Sequence, residues 1–165
     1  MPEESRRGPI PREAVEFLER KGLQPGFSYL DVWAEEHHRA FTAAKVMRED
    51  VLEAMHQEVA KALREGKPYH EFSRDLGQRL QQMGWWGEQQ VADPMTGEVA
   101  DVDVPSRLHR ICDTNMRTAR AAGQWERIQR TKDTHPYLLY QLGPSKEHRP
   151  EHVAWHGLLL HVDDP

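Results

Sequence analysis

The residues whose types and spacing could do chemistry begin with four histidines near the C-terminal end, His148, His152, His156 and His161. His152 and His156 stand four apart, so on a helix they share a face, and such a pair is the start of a zinc site. A closed site takes four ligands and a catalytic one commonly three. The chain has a single cysteine, Cys112, and no glutamate sits between the two histidines as an HExxH arrangement requires. Glu151, Asp163 and Asp164 could add oxygens. Zinc is thus the metal this end would take, and a metal-dependent hydrolase or nuclease the activity, with acid–base catalysis by His152 beside a carboxylate as a variant. Ordinary surface or packing histidines explain the same pattern, and on that reading no cofactor is expected. No glycine-rich phosphate loop, nucleophile elbow or kinase signature occurs.

A second group is basic. Residues 107–132 carry seven Lys/Arg against two Asp/Glu, so the rest of a chain of net charge −5 carries −10. At 100° per residue, Leu108, Ile111, Cys112, Asn115, Ala119 and Ala122 fall on one side of a helix. Arg110, Arg117, Arg120 and Arg127 fall mostly on the other. Such a stripe would pair with phosphates or with an acidic protein partner, because the guanidinium fork matches either; a solvated helix face explains it equally. Few aromatics interleave, which argues against a single-strand nucleic-acid surface. Asn115, on the apolar side, reads as a core amide satisfied by packing partners. Cys112 reads as a small core hydrophobe.

The elements that must position these residues are mostly helical. Pro11 suits the first turn of a short helix and Gly22 its C-terminal cap. Asp31 suits the N-cap of a second helix, along which Leu30, Trp33, His37, Phe41 and Ala44 would form one apolar stripe. Val51, Leu52, Met55, Val59, Ala62 and Leu63 mark a third, stopped by Gly66. Pro68 opens a fourth, faced by Tyr69, Phe72, Leu76, Leu80 and Met83. Each has one apolar face, so an antiparallel bundle is the economical solution. Trp85 and Trp86 could be exposed anchors for a partner, but more often such a pair plugs the end of a bundle. Residues 89–92 and 98–104 read as a hairpin around Asp93-Pro94-Met95-Thr96-Gly97. Ser106 then caps a long helix to about residue 131. Strands at 137–142 and 158–162 flank a short helix from Pro150 to Gly157. The fold class is mainly α (α+β): a helical bundle, a long arginine-rich helix and a small αβ tail. The expected divisions are a flexible N-terminus at 1–10, a helical region at 11–83, a connector at 84–105, and the long helix with its tail at 106–165.

Composition narrows the rest. Hydrophobic residues make up 38% and charged residues 30%, polar but patterned, so an ordered chain is expected. The net charge of −5 implies no uniformly basic surface. A lone cysteine fits a reducing compartment. The N-terminal MPEESRRGPIP lacks the apolar stretch of a signal peptide, and no apolar run is long enough for a membrane, so a soluble cytoplasmic protein is expected.

The order of certain segments resembles a known family. EFLERKGLQPGFSYLDVWAEEHHRAFTAAKVM at 16–47 is followed by GWWG at 84–87 and RLHRICDTNMRTARAAGQW at 107–125. RPEHVAWHG at 149–157 then stands ahead of DDP. This succession is similar to the Mu F-like minor head proteins of phages. The residues that carry it are Trp85, Trp86, Thr114, Asn115, Gly123, Arg149, Pro150, His152, Gly157, Asp163 and Asp164. The resemblance implies a minor capsid protein of head morphogenesis that associates with the portal protein and other head proteins, with packaged DNA nearby. It implies residence in the capsid interior of the virion, and in the host cytoplasm during assembly, with no catalytic function. In that family the DDP run continues into an aromatic-rich segment with a C-x-C pair, where this chain stops. The resemblance therefore implies a truncated tail, with its last strand short of a partner and any metal site shared with those cysteines incomplete.

Overall fold

The computed structural model describes residues 11–32, 37 and 39–164. The N-terminus expected at 1–10, Trp33 of the expected second helix, and Pro165 lie outside the described residues. The chain divides into two compact units, one reaching to Gly123 and the other Gln124–Pro165. It is mainly α with small sheets, an α+β protein.

The first helix, α1 (Arg12–Glu19), follows Pro11 and buries Ala14, Val15 and Leu18. Gly22 does not cap it. The helix stops three residues earlier, and Gly22 opens a two-residue strand, β1 (Gly22–Leu23), donating its N–H to Arg39 O at 2.9 Å.

Among the described residues of the expected second helix, a short 3₁₀ turn and a two-residue strand stand where one continuous helix was expected. Ser28, not Asp31, is the cap. It heads a single 3₁₀ turn, Tyr29–Asp31, and Asp31 is the reciprocal member of a capping box, its carboxylate accepting from the N–H groups of Phe27 (2.8 Å) and Ser28 (2.7 Å). Asp31 Oδ2 closes this turn from within it, so the residue does not stand ahead of a helix as its N-cap. Beyond it, β2 (Ala40–Phe41) pairs in parallel with β1. Lys45 adopts a left-handed φ of 64°, and Gly26 bridges both Ala44 and Val46. Leu30, placed on the same stripe as Phe41 by helical spacing, is 87% exposed, whereas Phe41 is fully buried.

The helical hairpin agrees with its sequence signals. α2 (Glu49–Glu65) buries Val51, Leu52, Met55, Val59, Ala62 and Leu63. Gly66 then takes φ 64° and donates to Ala62 O, the left-handed termination that glycine permits without a Cβ penalty. α3 (Tyr69–Gln82) follows Pro68 and buries Phe72, Leu76 and Leu80 against α2. Each such side chain contributes about 1.5–3 kcal/mol by leaving water. Trp85 is buried and Trp86 half-buried, and the Trp86 ring lies over Gly77, so both close the end of the helical pair as expected.

The hairpin is β3 (Glu88–Ala92) against β4 (Val99–Asp103), in register from Glu88↔Asp103 to Ala92↔Val99. Period-2 alternation sends Val91 and Val102 to the core. Asp93 organises the turn by accepting from Met95 N–H and the Thr96 hydroxyl. The long helix, α4 (Val104–Thr131), grows directly out of β4. Ser106 is inside it and not its cap; the Ser106 hydroxyl donates to Asp103 O at 3.0 Å, and Val104 N–H is taken by Gly87 O.

In the second unit, β5 (Tyr137–Leu139) pairs antiparallel with β6 (Leu159–His161), on either side of α5 (Pro150–Ala154). The last strand thus has a partner within this chain, against the expectation that it would lack one. The two strands satisfy each other's backbone groups, and Gly157 N–H and Tyr140 N–H extend the pairing through Tyr140 O and Leu158 O.

Candidate functional site

Within the first unit, one face of α4 repeats at helical steps: Arg107, Arg110, Ile111, Thr114, Asn115 and Thr118. Opposite it runs the extended stretch at β2. There Phe41 and Ala43 point into the core, so Ala40, Thr42 and Ala44 point the other way, as a two-residue period demands. Between these walls lies a cavity of about 370 Å³, completed by Lys21 and His37.

Its charge is one-sided. Lys21 is buried, and its ammonium donates to His37 O (2.7 Å) and Ala40 O (3.3 Å). Burial pushes its pKa below the ordinary lysine value. Arg107 donates one guanidinium nitrogen, Nη2, to Ala44 O, which ties α4 to the stretch after β2. Its pKa is also lowered, first by burial and then by the like charge of Arg110. Arg107 Nη1 and Thr42 Oγ1 are buried atoms with no hydrogen-bond partner. Among the described residues, no carboxylate comes within ion-pairing distance of Lys21, Arg107 or Arg110. A second concavity of about 390 Å³, between α1, α2 and α3, differs in kind: it is lined by carboxylates as well as cations, and Glu19 pairs with Arg64 and Glu58 with Arg79.

Sequence reasoning named Arg110, Thr114 and Asn115 but did not bring them together. Asn115 is half-buried, and its amide donates to Ile111 O at 2.9 Å, a local bond one turn back. It is a pocket wall as much as a core polar. Lys21 and Arg107 were missed. The signal for Arg107 was available: it stands seven and eleven residues before Thr114 and Thr118, hence on their face. Nothing in the sequence marks Lys21. Arg117, Arg120 and Arg127 are exposed, and Arg117 pairs with Asp113 at 2.9 Å. Cys112 is buried, and burial raises its thiol pKa to about 11, so it stays protonated.

The histidines of the second unit pack against aromatics. His152 stacks on Trp155 (ring centroids 5.5 Å, 21° between planes) and meets the edge of Tyr140. His156 Nδ1 accepts from Leu142 N–H at 3.3 Å, and His161 stands edge-on to Tyr137. Among the described residues, no three His, Cys, Asp or Glu side chains converge as metal ligands do. Arg149 is the N-cap of α5 and Pro150 its first residue, while Gly157 takes φ 84° to turn the chain into β6. Asp163 accepts from Lys132 Nζ at 2.9 Å, joining the two ends of the unit, and Asp164 N–H bonds to His161 O.

That ion pair gives a pH signature. The hydrogen bond from Lys132 holds the Asp163 carboxyl below its ordinary value of 3.8. A depressed acid stabilises the fold at all pH values above its unfolded pKa and loses that contribution as pH falls through the folded one. Amide protection across β5 and β6 should therefore weaken in the native chain as pH falls below the ordinary carboxyl value of 3.8. Asp163→Asn should start weaker and show no such acid step; an identical acid profile in both proteins would remove Asp163 as its cause.

The second unit also exposes apolar surface. Tyr137, Leu139, Val153, Trp155, Leu158, Leu159 and Leu160 are each between 38% and 60% exposed. Among its described residues only Val162 is buried.

The fold is that of a mainly helical α+β protein. The chain belongs to the family described as Phage Mu protein F like protein, whose family model matches residues 53–165. It is 38% identical over 156 residues to the putative capsid assembly protein F of Escherichia phage Mu, an alignment covering 93% of this chain and 35% of that protein. It is 31% identical over 137 residues to the Mu-like prophage FluMu F protein of Haemophilus influenzae, covering 81% of this chain and 32% of that one. The chain thus spans about a third of the length of these curated relatives. No solved structure matches it. No described helix is long and apolar enough to cross a membrane.

Proposed function

We propose that this chain works in phage head assembly as a structural component, without turnover, by docking onto the portal and other head proteins inside the forming capsid. The observation that carries this reading is the apolar surface of the second unit. Scattered exposed hydrophobics are ordinary, but seven large ones between Tyr137 and Leu160, in a unit with a single buried residue among those described, are characteristic of a surface that another protein covers. A unit this small also gains little stability from its own core. Family membership supports the same reading, as does the printed description of the phage Mu relative as a putative capsid assembly protein.

Mass spectrometry of heads purified from the phage that encodes this chain tests the proposal. Peptides from it should co-sediment with assembled heads in a fixed ratio to the portal, and heads should form poorly when the gene is deleted. Normal heads in the deletion, with the protein absent from wild-type particles, would refute the assembly role. Contact with packaged DNA draws less support, because Arg117 is engaged by Asp113 and the chain as a whole is negative.

A further inference from the structure

We propose that the cavity lined by Lys21, Arg107 and Arg110 receives a carboxylate side chain of a partner protein. Three cations face one space without a carboxylate among the described residues to neutralise them. Lys21 is buried and Arg107 half-buried, with Arg110 exposed beside them, and the like charge of Arg110 already disfavours that of Arg107, so an anion bound here would be compensated. Arg107 is fixed in place by its bond to Ala44 O, so its guanidinium is pre-organised for an incoming oxyanion. Arg107 Nη1 on the α4 wall and Thr42 Oγ1 on the facing wall are buried without hydrogen-bond partners, and Thr114 and Thr118 stand on the α4 wall.

Shape and lining favour a protein side chain over nucleic acid. The space holds about 370 Å³ and mixes its charges with Ile111, Ala40 and Ala44. An aspartate or glutamate places methylenes against such walls and oxygens among the cations. A duplex instead presents its phosphates on a broad convex surface, which a chain of net charge −5 repels outside the cavity. Single strands bind on aromatic platforms, and the described lining contains no Phe, Tyr or Trp.

The inference deepens the assembly reading, since the carboxylate would come from another head protein, but its test uses this chain alone. The ¹⁵N-labelled full chain is titrated with glutarate at constant ionic strength, with inorganic phosphate and a short DNA duplex as parallel arms. Glutarate should produce saturable shifts confined to the amides around Thr42, Thr114, Asn115 and Thr118. Arg107→Gln and Arg110→Gln should each weaken it by about tenfold, as the loss of one charge-assisted contact does. Arg110 is exposed, so its variant keeps the fold even if Arg107→Gln loosens it. Absence of saturation, persistence of the shifts in both variants, or tighter saturation of the same amides by duplex DNA would each overturn the proposal. A negative result here leaves head assembly through the second unit untouched. Conversely, failure to join heads leaves a positive titration standing.

Discussion

Replacing Gly123 by alanine should destabilise the first unit by about 1–3 kcal/mol, and replacement by valine by more, although alanine is the better helix former by about 1 kcal/mol. The cause is a close approach of two backbones. A Cβ at Gly123 would lie 2.5 Å from Ala14 N and 2.8 Å from Ala14 Cα, and backbone atoms of a packed helix cannot step aside as a side-chain tip can. Ala14 is itself 2% exposed, so α1 and α4 touch with nothing between them. Denaturant unfolding followed by the helical signal measures this, with a lower midpoint and an unchanged slope expected. Gly143→Ala serves as control, because a Cβ there meets nothing within 4 Å, and should change stability by less than about 0.5 kcal/mol. A Gly123→Ala protein more stable than the parent would mean that helix propensity wins and the close approach does not exist.

The second large effect separates two residues that helical spacing treats alike. Phe41→Ala should cost about 3–5 kcal/mol, while Leu30→Ala should stay within about 0.5 kcal/mol. Phe41 is fully buried in β2, its ring 4.8 Å from that of His56, and His56 is held in turn by Leu18 O at 2.7 Å. Removing it opens a cavity where α1, α2 and β2 meet. Leu30 projects from the 3₁₀ turn and is 87% exposed. Thermal melts of the two variants decide the matter: equal losses would restore the helix that the periodicity suggests.

That pair of residues shows where the sequence is legible and where it misleads. α2, α3, the β3–β4 hairpin and the body of α4 are long or carry paired turn signals, so their local preferences agree with their packing. In the stretch between Gly26 and Met47, apolar residues at three- and four-residue steps suit a helix. The burial of Phe41, Ala43 and Val46 instead reflects short strands, a capping box at Ser28 and Asp31, and the left-handed Lys45. Two-residue strands have too few positions to display an alternation, so their pairing with β1 is a tertiary fact that spacing cannot reveal. The cavity was half legible for the same reason. One wall is a helical face and can be counted out from Arg107 to Thr118; the other is the misread stretch, together with a lysine whose burial follows only from the fold. The stacking of His152 on Trp155, three residues on in the same helical turn, was open to a helical count, but its meeting with Tyr140 was not, because Tyr140 follows β5 and comes from outside α5.

The account rests on the second unit being a surface that a head protein covers. Sedimentation of the full chain with purified portal rings from the same phage tests this most directly, using Leu159→Asp with Val153→Asp as the comparison. The two positions are 60% and 52% exposed, so the double variant should keep the helical signal and unfolding midpoint of the parent. The parent should travel with the rings and the variant should remain at the top of the gradient. A parent that never travels with the rings, or a folded variant that travels with them as well as the parent does, would contradict the account.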